Sequence, residues 1–196
     1  MELLKRRIIS EGRIEGKDVI KVDSFLNHQM DVELLNEIGK EFKSRFRDQP
    51  VTKILTIEAS GIGIACITAQ YFHVPVVFAK KAESRNLDKE VYESKVFSYT
   101  KGKEYIIKVS KRYLCPEDHV VIIDDFLANG QAIAGLKDIV TQAGAHLVGV
   151  GIVIEKSFQN GGKTIREAGI QLESLAIIKS IEDNKINFKE VGETKK

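Results

Sequence analysis

Apolar residues recur along the chain in two periods, and the change from one to the other marks out the elements. Leu4 and Ile8 stand four apart, which predicts a short amphipathic helix that Gly12 and Gly16 break. A brief apolar segment over 19–22 and a polar, turn-like stretch over 23–28 follow. Leu35, Ile38, Phe42 and Phe46 then fall at spacings of three and four, which puts them on one face of a second helix. Asp31 is its candidate N-cap, because a short side-chain oxygen can accept from a first-turn N–H that has no partner inside the helix. Pro50 stands beyond its end.

After Pro50 short apolar runs alternate with helical patterns. Residues 53–57 read as a strand, 60–63 as a tight loop, 64–72 as a helix and 74–79 as the next strand. Residues 80–95 are dense in charge and poor in large apolar side chains, which predicts a solvated, mobile loop. Residues 96–99 and 105–109, joined through Lys101-Gly102-Lys103, read as a β-hairpin. The run 120–123 is apolar at every position, the mark of a strand buried on both faces of a parallel sheet. A helix over 131–143 ends at Gly144, where a left-handed cap is expected. Residues 147–154 form another buried strand, 163–168 a short helix, and 171–181 and 186–191 two strands about an Asp183-Asn184 turn; the tail 192–196 is expected to fray. This alternation predicts an α/β fold, an open, mostly parallel twisted sheet flanked by helices. In such sheets ligands bind beyond the carboxyl ends of the strands.

A length of 196 residues favours one domain, 1–196, and 43% apolar with 30% charged residues excludes disorder. The net charge of +2 gives no global electrostatic reason to expect nucleic acid or membrane binding. The longest apolar stretch, 147–154, is eight residues, far short of the ~20 that cross a bilayer. The start, MELLKRRIISEG, lacks the apolar run of a secretory signal. Cys66 and Cys115 are too few for a disulfide framework or a cysteine zinc site, and His28, His73, His119 and His146 show no metal-ligand spacing. A cytoplasmic protein with reduced thiols and no metal site of its own is expected.

The segment VVIIDDFLANGQA, residues 120–132, carries the chemistry. Its apolar run leads into Asp124-Asp125, and adjacent carboxylates can accept from the 2′ and 3′ hydroxyls of a ribose. Ala128, Asn129 and Gly130 then open the next helix, with Gln131 and Ala132 in its first turn. Small residues let the backbone approach a ligand, and the unpaired amides at the positive end of a helix bind phosphate. Singly, an Asp-Asp or Asn-Gly pair is ordinary turn chemistry; the whole array describes a ribose 5-phosphate site.

This segment resembles the phosphoribosyl diphosphate (PRPP) binding motif of type I phosphoribosyltransferases. VIKVDSFLNHQMD (19–31), EASGIG (58–63), VPVVFAKK (74–81), DDFLANGQA (124–132) and GVGIVIEKSF (149–158) extend the resemblance over nearly the full length, to the bacterial xanthine phosphoribosyltransferase family. The resemblance implies the type I fold, with a small hood built from residues 1–35 and about 156–196 over a base site. It also implies transfer of the 5-phosphoribosyl group from PRPP to xanthine, with Mg2+ carried by PRPP, in a homodimer. Asp124 and Asp125 would be the catalytic pair at the ribose, and Ala128, Asn129, Gly130, Gln131 and Ala132 would hold the 5′-phosphate. Ala59, Ser60, Gly61, Lys80 and Lys81 would meet the pyrophosphate, and Ile20, Asn27, Lys156 and Phe158 the xanthine. Ile20 replaces a leucine of the family and keeps the apolar contact. Residues 82–95 would close over PRPP. Some relatives carry a carboxylate where this chain has Ala128, so a general base at that position is not expected. Transcription regulators that share the PRPP site need an added DNA-binding module; the segment before residue 53 holds base-site sequence instead.

Overall fold

The apolar runs at 53–57, 120–123 and 147–154 lie side by side in one sheet. The computed structural model describes residues 1–16, 18–81, 90–98, 102–183 and 185–189. Helix α1 (Glu2–Glu11) leads into a two-stranded hairpin, β1 (Arg13–Glu15) and β2 (Val19–Lys21), with Ile14 opposite Ile20. A π-helical turn, Asp23–Asn27, joins it to α2 (Val32–Arg45). The Asp31 side chain accepts from Leu34 N and caps α2 as its sequence requires. Next come β3 (Lys53–Ile57), α3 (Ser60–Phe72) and β4 (Val76–Lys81). The hairpin β5 (Val91–Ser98) and β6 (Lys103–Ser110) follows. Then β7 (His119–Leu127), α4 (Gln131–Gln142), β8 (His146–Lys156), α5 (Gly161–Glu167), β9 (Leu172–Glu182) and β10 (Lys185–Phe188) complete the described chain.

Among the described residues eight strands form one sheet in the order β10-β9-β8-β7-β3-β4-β6-β5. The five strands from β9 to β4 run parallel, with antiparallel strands at both edges. After β3 the chain steps to β4 on one side; it later returns to β7 on the other side and continues outward. The order therefore reverses between β3 and β7, which opens a crevice at their carboxyl ends. The sheet divides the core into two layers. Ile54, Val121 and Ile123 face α1, α2 and α3, whereas Leu55, Val120 and Ile122 face α4. A Cβ on Gly149 or Gly151 would crowd the Phe46 or Phe42 ring, so the glycines inside the apolar run let α2 lie close against β8.

Several boundaries differ from the sequence reading. Helix α3 starts at Ser60, not after a loop over 60–63, because glycine in a first turn costs little when the site leaves no room for a side chain. Strand β4 runs through Lys81, which pairs with Ile107, and β5 begins at Val91 against Ser110. The charge that read as loop over 80–95 is thus partly strand, because an edge hairpin exposes one face; residues 82–89 lie outside the described ones. Strand β7 continues past both carboxylates to Leu127, held by β8 up to Glu155. Strand β1 has too few apolar residues to be seen in the pattern. Lys101, Asn184 and the tail 192–196 lie outside the described residues. Among the described residues no helix is long and apolar enough to cross a membrane.

Candidate active site

Strand β7 delivers Asp124 and Asp125 into the crevice. Asp124 is only 5% exposed. Its Oδ1 accepts from Asp125 N at 3.0 Å, and Asp125 Oδ1 accepts from Phe126 N at 2.8 Å. Burial, reinforced by the adjacent Asp125 charge, holds Asp124 well above the usual carboxylate range; Lys81 pulls the other way. Burial also raises Asp125, opposed by the Phe126 N–H and the Asn27 amide. Two desolvated carboxylates with so few donors favour a ligand that brings hydroxyls or positive charge.

The carboxyl end of β3 supplies the facing wall. Glu58 Oε1 accepts from Lys81 N at 2.6 Å, and Glu58 N donates to Ala79 O at 3.2 Å, tying β3 to β4 where the crevice opens. Ala59 precedes α3, and Ser60 and Gly61 form its first turn. Any side chain at Gly61 would collide with the Thr56 hydroxyl, and its Cβ would lie 3.1 Å from Asp124 Oδ1. The first amides of α3 are thereby brought to the carboxylate pair.

Lys80 and Lys81 part company because neighbours in a strand point to opposite faces. Lys81 Nζ lies 5.3 Å from the Tyr105 ring centre and acts on Asp124. Lys80 is 5.8 Å from the Phe78 ring centre and lines a separate basic cleft with Lys53, Lys108 and Arg112.

Ala128, Asn129, Gly130, Gln131 and Ala132 line one cleft of about 160 Å3, walled by Phe126 and by Tyr105 and Val96 of the hairpin. Gly130 has φ +80, a left-handed conformation that suits glycine, and turns the chain into α4. Gly161 N donates to Ala128 O at 3.0 Å and fixes the loop from behind. The first N–H groups of α4 have no acceptor within the helix and sit at its positive end, so the cleft suits an anion.

At the other end, Lys156 closes β8. Its Nζ donates to Asp18 O at 2.7 Å and lies 5.7 Å from the Phe126 ring centre. Burial lowers its pKa, partly offset by Asp18. Asn27, at the end of the π-turn, has an Oδ1 that is buried and without a partner among the described residues. Ile20 is buried in the core. Phe158 is 41% exposed, free of the core that a phenylalanine two residues past a strand would ordinarily join. Among the described residues no group of three or more His, Cys, Asp and Glu side chains gathers.

The assembled crevice pairs buried carboxylates with two helix N-termini, and residues 21–163 match the phosphoribosyl transferase domain family. The chain belongs to that family. It is 65% identical to the xanthine phosphoribosyltransferase of Clostridium novyi (strain NT) over 96% of this chain and 100% of that one. The xanthine phosphoribosyltransferase of Ruminiclostridium cellulolyticum is 64% identical, over 97% and 100%. In fold the chain is similar to an adenine phosphoribosyl transferase from Trypanosoma brucei, crystallised with AMP, pyrophosphate and ribose-5-phosphate. The TM-score is 0.74 at 20% identity, covering 89% of this chain and 78% of that one. The fold is that of a type I phosphoribosyltransferase.

Tyr105 and Asp18 escaped the sequence reading. Tyr105 comes under the influence of Asp124 only because β6 folds beside β4. Glu58 was legible as the head of the strand-end segment 58–61 that resembles the pyrophosphate loop, but its tie to Lys81 N was not.

Proposed function

We propose that this phosphoribosyltransferase transfers the 5-phosphoribosyl group from PRPP to xanthine, giving XMP and pyrophosphate in purine salvage. The bond from the ribose anomeric carbon to the pyrophosphate oxygen breaks, a bond to a purine nitrogen forms, and that nitrogen loses its proton. The observation that carries this reading is the desolvated pair Asp124–Asp125 beside the amide-lined cleft of 128–132. The xanthine assignment rests on the relatives' substrate.

In this reading the cleft of 128–132 holds the 5′-phosphate, and Asp124 and Asp125 accept from the ribose hydroxyls. As positive charge grows on the ribose ring, their negative charge stabilises it, most strongly because water is excluded. Ala59, Ser60 and Gly61 offer backbone and hydroxyl donors to the leaving pyrophosphate, with Lys81 across the crevice. Lys80 faces the other side of the sheet and would have to swing to join it. Asn27 and Lys156 address the base edge, Ile20 supports it from the core and Phe158 is free to cover it. The hood of 1–35 and about 156–196 fits the contact of Lys156 with Asp18. Positioning and electrostatics carry the rate, because Ala128 offers no base.

Mg2+ carried on PRPP would neutralise diphosphate charge. The Asp124 and Asp125 carboxylates offer hard oxygen donors, which suit such an ion arriving with its substrate. A homodimer working in the cytoplasm completes the proposal; sedimentation at micromolar concentration tests the dimer. The activity is tested by following absorbance with PRPP, Mg2+ and each purine separately. Xanthine should turn over best; turnover of adenine alone would contradict the reading.

A further inference from the structure

Glu155 immediately precedes Lys156, yet it points away from solvent and is only 1% exposed. Its two oxygens each take one arm of the Arg166 guanidinium, Nη1 to Oε1 and Nη2 to Oε2, both at 2.7 Å. The Ser174 hydroxyl of β9 donates to Oε2 as well. Arg166 belongs to the last turn of α5, and Gly162, in its first turn, packs so closely on Glu155 Oε1 that no side chain would fit. One buried carboxylate therefore grips both ends of α5. Its neighbour Gly161 donates to Ala128 O, and its Cα would lie 3.1 Å from a Cβ on Gly130. Leu127 of β7 pairs with Glu155 itself.

We infer that Glu155 and Arg166 are positioning residues for the 5′-phosphate cleft: through α5 they press Gly161 against the 128–130 loop and set the amides that meet phosphate. This rests on reading 128–132 as the phosphate site. Glu155 is buried while the Arg166 side chain keeps 36% of its exposure, and burying a carboxylate in this way stabilises a fold no better than well-packed apolar residues would. The pair gives instead a rigid, directional hold, because the planar guanidinium fixes distance and angle together.

The test is a split in kinetic constants. Arg166→Lys keeps the charge and loses the fork. It should raise KM for PRPP by about tenfold and leave KM for xanthine within about twofold, the pattern of a lost substrate contact rather than a lost fold. A purely structural role would reduce the amount of active enzyme and so lower apparent kcat alone. Ser174→Ala keeps the ion pair and removes one bond to Glu155. It should shift KM for PRPP in the same direction by less, and it serves if Arg166→Lys does not fold. An unchanged KM for PRPP overturns the inference, as does an effect confined to xanthine, which would mean that Glu155 orients Lys156. Gly130→Ala separates the two levels. If it leaves KM for PRPP unchanged, the phosphate-site reading itself fails; if it raises KM and the Arg166 and Ser174 variants do not, only the positioning role fails.

Discussion

Asn27 Nδ2 reaches Asp125 Oδ2 at 3.5 Å, although the two residues are 98 positions apart in the chain. One residue of the proposed base site thus touches one of the proposed ribose site, and its Oδ1 is buried without a partner among the described residues. Asn27→Asp would set a third carboxylate against two whose pKa values burial already raises. A folded-state pKa above the unfolded value contributes stability below the unfolded pKa and loses it as pH rises through the folded one. Thermal melts should therefore place Asn27→Asp below the parent at pH 8, with the gap closing toward pH 5. A gap independent of pH would contradict the electrostatic contact.

Asp124 obeys the same sign. Its raised pKa means that the ionised form is disfavoured in the folded chain, so at neutral pH this carboxylate opposes folding. Asp124→Asn should raise stability at pH 7.5 and raise it less at pH 5, while turnover falls by about a hundredfold or more. Calorimetry at the two pH values checks the stability, and steady-state kinetics with PRPP checks the turnover. Lower stability at every pH would show the carboxylate to be structurally satisfied.

Gly61 and Thr56 set how closely α3 approaches the carboxylates. Gly61→Ala should cost about 1–3 kcal/mol through overpacking and reduce activity. Adding Thr56→Ala removes the colliding hydroxyl and should return most of the stability. Denaturant melts of the single and double variants decide; no recovery in the double variant would place the clash elsewhere.

Lys156→Ala should raise KM for xanthine by about tenfold, the worth of a bond to a charged donor, with a smaller effect on PRPP. Steady-state kinetics varying each substrate in turn measure the split. A change confined to PRPP would remove Lys156 from the base site.

Strands buried on both faces were legible in the sequence because 120–123 is apolar throughout, 147–154 is broken only by Gly149 and Gly151, and 53–57 carries only Lys53 and Thr56 among its apolar residues. The α2 stripe and its Asp31 cap were legible for the same reason. The Asp pair and the small-residue loop could be read because they are contiguous. What was hidden depends on contacts distant in sequence. The opposite facing of Lys80 and Lys81 follows from β4 continuing into a ladder with β6. The helical turn at Ser60 is set by the room beside Thr56. The grip of Glu155 on Arg166 exists only once β8 and α5 are packed together. The edge strand β5 carries Glu93, Ser94 and Lys95 at its centre, so its first half resembles a loop in composition.

The central claim is that one sugar-phosphate lies between Asp124–Asp125 and the mouth of α4. A crystal structure of the protein with bound XMP tests it most directly. The 5′-phosphate should sit about 3 Å from the backbone amides of 128–132, with both ribose hydroxyls at similar distance from the two carboxylates. A nucleotide bound with its phosphate outside that cleft, or with its ribose away from both carboxylates, would contradict it.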